Sequence, residues 1–188
     1  MRGRFEALFT AAVILLFGAT NARAFVPLPN AAHMSLLFLH VVGAIIFMGN
    51  IVVSAMWMAH ATKTRNTHVL HFATRSIARA DWLFTLPGIV LLLGPGLFML
   101  GRFGGFPGKA WVELALTFFI LSVVIWVSVL IRLQKRMIDM TTVAATSNSE
   151  LDDSFYRVVK RWSMWGGIAT LLPFASLVLM VFKPGLWR

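Results

Sequence analysis

The stretch that decides the fold is the apolar run at residues 34–58, MSLLFLHVVGAIIFMGNIVVSAMWM. It is long enough to cross a bilayer, whose hydrocarbon core needs about 20 apolar residues in a helix. The run also contains a histidine, His40, and an asparagine, Asn50, which are costly to place in hydrocarbon. These two residues raise the question of whether the run binds a cofactor or only packs against other helices.

Three further runs have the length and composition of membrane spans, at residues 82–100, 111–131 and 162–182. The chain has 188 residues, of which 59% are hydrophobic and 13% charged, and its mean hydropathy is +0.80. A water-soluble domain of this size could not bury so much apolar surface. We therefore predict an all-α integral membrane four-helix bundle that forms a single domain over residues 25–188.

The first 24 residues have the form of a secretory signal peptide. Arg2 and Arg4 precede an apolar stretch of about 14 residues, and Ala22-Arg23-Ala24 matches a cleavage site. The alternative is a short signal-anchor helix that stays attached to the bundle. Either form delivers the chain to a membrane, and we predict the bacterial cytoplasmic (inner) membrane.

Basic residues are distributed unevenly between the predicted loops, and the formal net charge is +10. Most of them follow the first and third spans, whereas the loop after the second span carries two. This distribution predicts that both basic loops are cytoplasmic and that the C-terminus lies outside. The charge then orients the chain and contacts anionic lipid headgroups, so a nucleic-acid partner is not expected.

The polar and smallest residues of the first span share one face of the predicted helix. At about 100° of rotation per residue, His40, Gly43, Phe47, Asn50 and Ser54 fall within about 80° of one another. This face is therefore predicted to point into the bundle. With no cysteine in the chain, any haem needs a ligand such as histidine, and b-type haem suits a lone buried histidine in a four-helix bundle. His40 is the candidate metal ligand, and the alternative is a histidine that donates one hydrogen bond to a backbone carbonyl.

Other residues are candidate neighbours of that cofactor. Asn50 and Ser54 follow His40 on the same helix face. Arg79, just before the second span, is either an anchor at the membrane surface or the partner of a carboxylate such as a haem propionate. Asp81 is predicted to cap the N-terminus of the second span.

Glu113 lies one turn into the third span. It is a hydrogen-bond partner for the His40 ring, a proton carrier, or an acid favoured by the helix dipole. Met99, Met180 and Glu113 are the candidates for a second axial ligand. The loop histidines His60, His68 and His71 form no recognised metal-binding spacing.

Four segments resemble the membrane protoporphyrinogen IX oxidases of the HemJ type and a neighbouring uncharacterised family of four-helix integral membrane proteins. They are FLHVVGAIIFMGNIVVSAMWMAHA (38–61), RADWLFTLPGI (79–89), WVELALTFFILSVVIWVSVLIRLQKRM (111–137) and VLMVFKP (178–184). The resemblance implies a four-helix membrane fold and haem b ligation by His40. The oxidase family also has an essential lysine near the start of the third helix. That lysine has no counterpart in WVELALTF, so the resemblance does not decide whether this chain is an enzyme.

We predict a haem b protein that transfers electrons or acts in porphyrin-linked redox chemistry. Its partners would be the lipid bilayer and a quinone, a porphyrin or a membrane oxidoreductase, and the sequence leaves a homo-oligomer open. The alternative is a cofactor-free accessory or assembly subunit of a larger membrane complex. A transporter is disfavoured because paired intramembrane charges and inverted repeats are absent from the sequence.

Overall fold

The structure, a computed structural model, describes residues 30–102, 105 and 110–185. Every regular element within these ranges is helical. In chain order they are α1 (Asn30–Thr64), α2 (Thr67–Ala80), a first π-helical turn (Asp81–Thr85), α3 (Leu86–Arg102), α4 (Ala110–Ile125), a second π-helical turn (Trp126–Leu130), α5 (Ile131–Thr146) and α6 (Asp153–Phe182). The predicted signal segment, residues 1–24, lies outside the described residues.

The two π-helical turns do not interrupt the helices that contain them. Backbone dihedrals stay right-handed helical at both ends of the first turn, so α2 and α3 form one continuous second span. The second π-helical turn joins α4 to α5 in the same way to form the third span. Together with α1 and α6 these are four helices long and apolar enough to cross a membrane, which confirms the predicted fold class.

The helices are longer than the predicted spans. α1 has 35 residues, which corresponds to about 50 Å and exceeds a hydrocarbon core of about 30 Å. Residues 67–80, which precede the predicted span at 82–100, are helical and begin the second span without a break. The buried side chains Leu70, Thr74 and Ile77 face the bundle, whereas Phe72 is exposed.

The turns between spans explain where the helices begin and end. Asn66 caps α2, because its side-chain oxygen accepts from the backbone N–H groups of His68 and Val69. Asp152 caps α6 in the same way through Ser154 and Phe155. We call the end of the bundle that holds these two turns the basic end, since the basic loops lie there, and the other end the opposite end.

Glycines allow the first two spans to approach closely. A Cβ added to Gly43 would lie 2.6 Å from the backbone nitrogen of Leu92, and one added to Gly88 would lie 3.0 Å from Phe47. Neither position tolerates a side chain without a shift of a helix backbone. α1 and α3 therefore pack antiparallel along a seam in which Gly43 lies against Leu92 and Phe47 against Gly88.

The third and fourth spans pair through serines that donate to backbone carbonyls. Ser122 Oγ donates to the Ala169 carbonyl at 2.6 Å, and Ser176 Oγ donates to the Ala115 carbonyl at 2.8 Å. Such bonds satisfy the hydroxyls where no water is available. The two pairs of spans meet through Phe47 and Phe119, whose ring centroids are 5.2 Å apart.

The larger apolar core lies toward the basic end. Side chains of all four spans contribute to it, with α2 packed on α5 and α6 completing the cluster. Its most enclosed members are Met58, Leu70, Ile77, Met137 and Phe155. The four spans are therefore held together most firmly in this half.

Candidate functional site

His40 is half-buried and forms one hydrogen bond across the seam between α1 and α3. Its Nδ1 lies 2.6 Å from the Leu92 carbonyl oxygen. A carbonyl can only accept, so Nδ1 carries the hydrogen and the lone pair of the neutral ring is on Nε2. Nearby Pro95 lacks the N–H that would bond the Leu91 carbonyl, which loosens this turn of α3.

Gly96 makes room for the imidazole ring. A Cβ at this position would lie 2.9 Å from Nδ1 and 3.0 Å from Cε1 of His40. The ring therefore lies directly on the α3 backbone and is held by it. The Nε2 atom forms no hydrogen bond with the described residues and is not enclosed.

This arrangement fits one axial ligand of a haem. A ligating histidine commonly donates its other ring N–H to a carbonyl, which fixes the tautomer and the ring orientation. The donor set at His40 has this form, with Leu92 as the carbonyl. The same hydrogen bond also fits the alternative, a histidine that serves only helix packing.

A second polar site surrounds Asp81, about four turns of α1 away from His40. Asp81 Oδ1 accepts from Asn50 Nδ2 at 3.0 Å and from the Thr85 hydroxyl at 3.0 Å. Asp81 Oδ2 accepts from Gln134 Nε2 at 2.7 Å and from Trp126 Nε1 at 3.2 Å. We call these five residues, from three of the four spans, the Asp81 cluster.

The Asp81 cluster is buried and holds its carboxylate with neutral donors. Asp81 is 8% exposed, and it forms no ion pair with a Lys, Arg or His side chain of the described chain. Asn50 Nδ2 also donates to the Thr85 hydroxyl at 2.8 Å, which closes a ring of bonds around Oδ1. Four donors on two oxygens use the acceptor sites of an ionised carboxylate.

The prediction that Asp81 caps a helix is therefore wrong. The second span is already helical for 14 residues before Asp81, so this residue has no free backbone N–H groups to satisfy. Sequence reasoning missed Thr85, Trp126 and Gln134 as its partners. The available signal was the spacing of Asp81 and Thr85, four residues apart on one helix face, opposite the polar face of the first span.

The polar face of the first span points into the bundle as predicted, since Gly43, Phe47, Asn50 and Ser54 are all buried. It nevertheless serves two sites. Asn50 belongs to the Asp81 cluster, and ten residues of helix, or about 15 Å, separate it from His40. The Ser54 hydroxyl is enclosed and has no hydrogen-bond partner among the described residues.

The remaining candidates, Arg79 and Glu113, are both exposed. Arg79 is exposed and, by the pairing of α1 with the second span, lies level with residues near position 56, about 24 Å from His40 along the helix. It is therefore too far away to hold a propionate of a haem at His40. Glu113 is exposed in the first turn of α4, where the helix dipole favours an acid.

Met99 and Met180 are, with Glu113, the candidates for a second axial ligand. Met99 is buried in α3, three residues beyond Gly96, and Met180 is half-buried in α6. Within the described ranges no group of three or more His, Asp or Glu side chains is placed to hold a metal ion. His60, predicted to lie in a loop, is instead part of α1; it is exposed and donates to the Met56 carbonyl of that helix.

Comparison with known proteins gives one family. Residues 34–184 match the family described as "Predicted integral membrane protein (DUF2269)". No curated protein and no solved structure matches the chain. The matched range covers all four spans and both polar sites.

Proposed function

We propose that this chain, which belongs to the DUF2269 family of predicted integral membrane proteins, binds b-type haem within the bilayer through His40. The observation that carries the proposal is the hydrogen bond from His40 Nδ1 to the Leu92 carbonyl, which leaves the lone pair on Nε2. An ionisable ring in hydrocarbon is costly, so a ring whose coordinating nitrogen has no hydrogen bond among the described residues is expected to serve a function beyond helix packing. Bound haem would supply one-electron redox chemistry, so electron transfer with a quinone, a porphyrin or a membrane oxidoreductase is the proposed role.

The chain's own residues would set the properties of that ligand. The Leu92 carbonyl increases the basicity of the imidazole by accepting its N–H. Because Gly96 has no side chain, the ring lies directly against the α3 backbone, and this contact limits its rotation. Arg79 lies about 24 Å from His40 along the helix, so it would not pair with a propionate of the proposed haem.

The test is a visible absorption spectrum of detergent-purified protein expressed with ample haem, first oxidised and then reduced with dithionite. We expect a Soret band and b-type reduced bands that His40→Ala abolishes and that His60→Ala, at an exposed position of the same helix, retains. Added imidazole should restore the bands in His40→Ala, because it can occupy the vacated axial position. Wild-type protein that is folded and has no haem bands would overturn the proposal.

A second function is favoured by the same hydrogen bond and by the tight fit of the ring on Gly96. It is a cofactor-free subunit of a larger membrane complex, in which His40 joins α1 to α3. In that case the wild-type spectrum is flat, and a second membrane protein co-purifies in fixed stoichiometry from mild detergent. His40→Ala then weakens the bundle by about 1 kcal/mol, the typical net contribution of one hydrogen bond.

A further inference from the structure

Asp81 is the one buried side chain among the described residues that can carry a charge. A buried carboxylate without a cation is costly, and proteins usually keep such a group where its protonation is used. Its four hydrogen bonds offset part of that cost. They do not neutralise it.

Within the described ranges no buried cation faces Asp81, and this has a chemical consequence. On α1 the residues that face Asp81 are Asn50 and Ser54, and neither titrates. On the other spans the cationic side chains toward the basic end, Arg79, Arg132, Lys135 and Arg161 among them, are exposed. In a buried ion pair, protonation of the carboxylate leaves the cation without a partner. Asp81 is not paired in this way, so its protonation would not carry that cost.

The partners of Asp81 can also accommodate its acid form. A hydroxyl can reverse its hydrogen, and a rotated amide presents an oxygen in place of its NH₂ group. Thr85, Asn50 and Gln134 can thus each turn from donor to acceptor, whereas the Trp126 indole can only donate. An acid form of Asp81 is therefore able to keep a hydrogen-bonded environment after a local rearrangement.

One enclosed polar atom near the cluster, the Ser54 hydroxyl oxygen, has no hydrogen-bond partner among the described residues. The pairing of Gly43 with Leu92, Phe47 with Gly88 and Asn50 with Thr85 places Ser54 level with Asp81. The Ser54 hydroxyl is enclosed and unpaired, with the side chain 5% exposed. It is thus available to a water molecule or to a protonated carboxyl.

The backbone around the cluster is of the kind that accompanies function. Asp81 is the first residue of one π-helical turn and Trp126 is the first residue of the other. Single π-helical turns are frequent at functional sites, where they shift the register of the residues beyond them. Two such turns meet at one carboxylate here.

From these observations we propose that Asp81 is a proton-binding site, which takes up and releases one proton inside the folded bundle while its donors rearrange. The proton would come from the aqueous phase at the basic end, which is the end of the bundle nearer to Asp81. The site is separate from His40 and does not depend on bound haem. It gives the membrane domain a residue that can couple proton transfer to a small movement between the first and third spans.

The test uses a chain in which Asp81 is the only aspartate. The variant Asp139→Asn, Asp152→Asn, Asp153→Asn changes three exposed residues, and asparagine caps a helix about as well as the Asp152 it replaces. Infrared spectra of this variant, labelled with aspartate that carries ¹³C in its side-chain carboxyl, are recorded against pH. Near-UV circular dichroism at each pH reports whether the bundle is folded.

We expect a labelled carboxylic acid band that appears on acidification and disappears on return, with the amplitude of one proton per chain, while the bundle stays folded. The further change Asp81→Asn should abolish the band. The proposal is overturned if Asp81 shows only carboxylate bands until the bundle unfolds. If Asp81→Asn does not fold, the single-aspartate variant decides alone. The haem bands of the His40 proposal are not involved in this result.

Discussion

The two polar sites that the first span contacts, His40 with the Leu92 carbonyl and the Asp81 cluster, differ in how completely the protein satisfies their hydrogen-bonding groups. His40 makes one hydrogen bond to a backbone carbonyl and keeps a coordinating nitrogen free. Asp81 receives four side-chain hydrogen bonds and keeps no free acceptor. We call His40 the open site, because its ring nitrogen can bind a ligand, and the Asp81 cluster the closed site. The closed site has no room for a ligand, but its hydrogen-bond partners can rearrange to accept a proton.

The surroundings of the two sites follow the same division. The Asp81 cluster adjoins the large apolar core, where all four spans contribute. His40 lies in the half where α1 packs chiefly on α3, and the α3 residues on either side of its contact, Leu91–Leu97, are only half-buried. Tight packing holds the closed site, and looser packing leaves room beside the open one.

The largest effect on stability is expected from removing the carboxylate of the closed site. Asp81→Ala removes the carboxylate that accepts from the buried Asn50 and Gln134 amides and from the half-buried Trp126 indole, and each buried donor that loses its acceptor costs about 1–3 kcal/mol. We expect the free energy of unfolding, measured by denaturant titration in detergent or bicelles, to fall by about 3 kcal/mol or more. Asp139→Ala, at an exposed position of α5, should change it by less than about 0.5 kcal/mol. Equal effects of the two changes would contradict the hydrogen-bonded cluster.

The second largest effect on stability is expected in the seam between α1 and α3, which contains His40. Gly43→Ala forces a methyl group against the Leu92 backbone, and overpacking of this kind costs about 1–3 kcal/mol. The matched control is Gly49→Ala on the same helix, where a Cβ meets open space and alanine favours the helix by up to about 1 kcal/mol. The same unfolding titration compares them. A Gly43→Ala protein as stable as Gly49→Ala would show that the spans are farther apart.

A smaller effect is expected at the edge of the closed site. Ser54→Ala removes an enclosed hydroxyl that has no partner, so stability should stay within about 0.5 kcal/mol of wild type or rise. Asn50→Ala, one turn away, removes two hydrogen bonds and should cost about 1–3 kcal/mol. A large loss for Ser54→Ala would mean that its hydroxyl has a partner such as a bound water.

The smallest effect concerns a carboxylate that is open to water. The Ser154 hydroxyl and the backbone N–H of Phe155 lower the pKa of Asp152 below its usual value. A lowered pKa in the folded state stabilises the protein above the unfolded-state pKa, and this stabilisation disappears as the pH falls through the folded-state value. The stability difference between wild type and Asp152→Asn, measured by thermal unfolding, should therefore shrink between neutral and acid pH. A difference that does not vary with pH would contradict the cap.

The four-span fold and the buried face of the first span could be predicted, because both follow from local sequence patterns. Run length indicated the spans, and helical rotation brought Gly43, Phe47, Asn50 and Ser54 to one buried face. The role of Asp81 could not be predicted, because it depends on a helix that starts 14 residues earlier and on partners from two other spans. Nor does any periodicity indicate that Asn50 turns toward Asp81, away from His40.

The most direct test of the account is to compare the haem spectra of wild type, His40→Ala and Asp81→Asn, each purified and shown to be folded. If His40 is the open, ligand-binding site and Asp81 the closed one, wild type and Asp81→Asn share the Soret and reduced b-type bands, and His40→Ala lacks them. Bands that persist in His40→Ala and vanish in Asp81→Asn would contradict the assignment of the ligand site to His40 and would reverse the roles of the two sites.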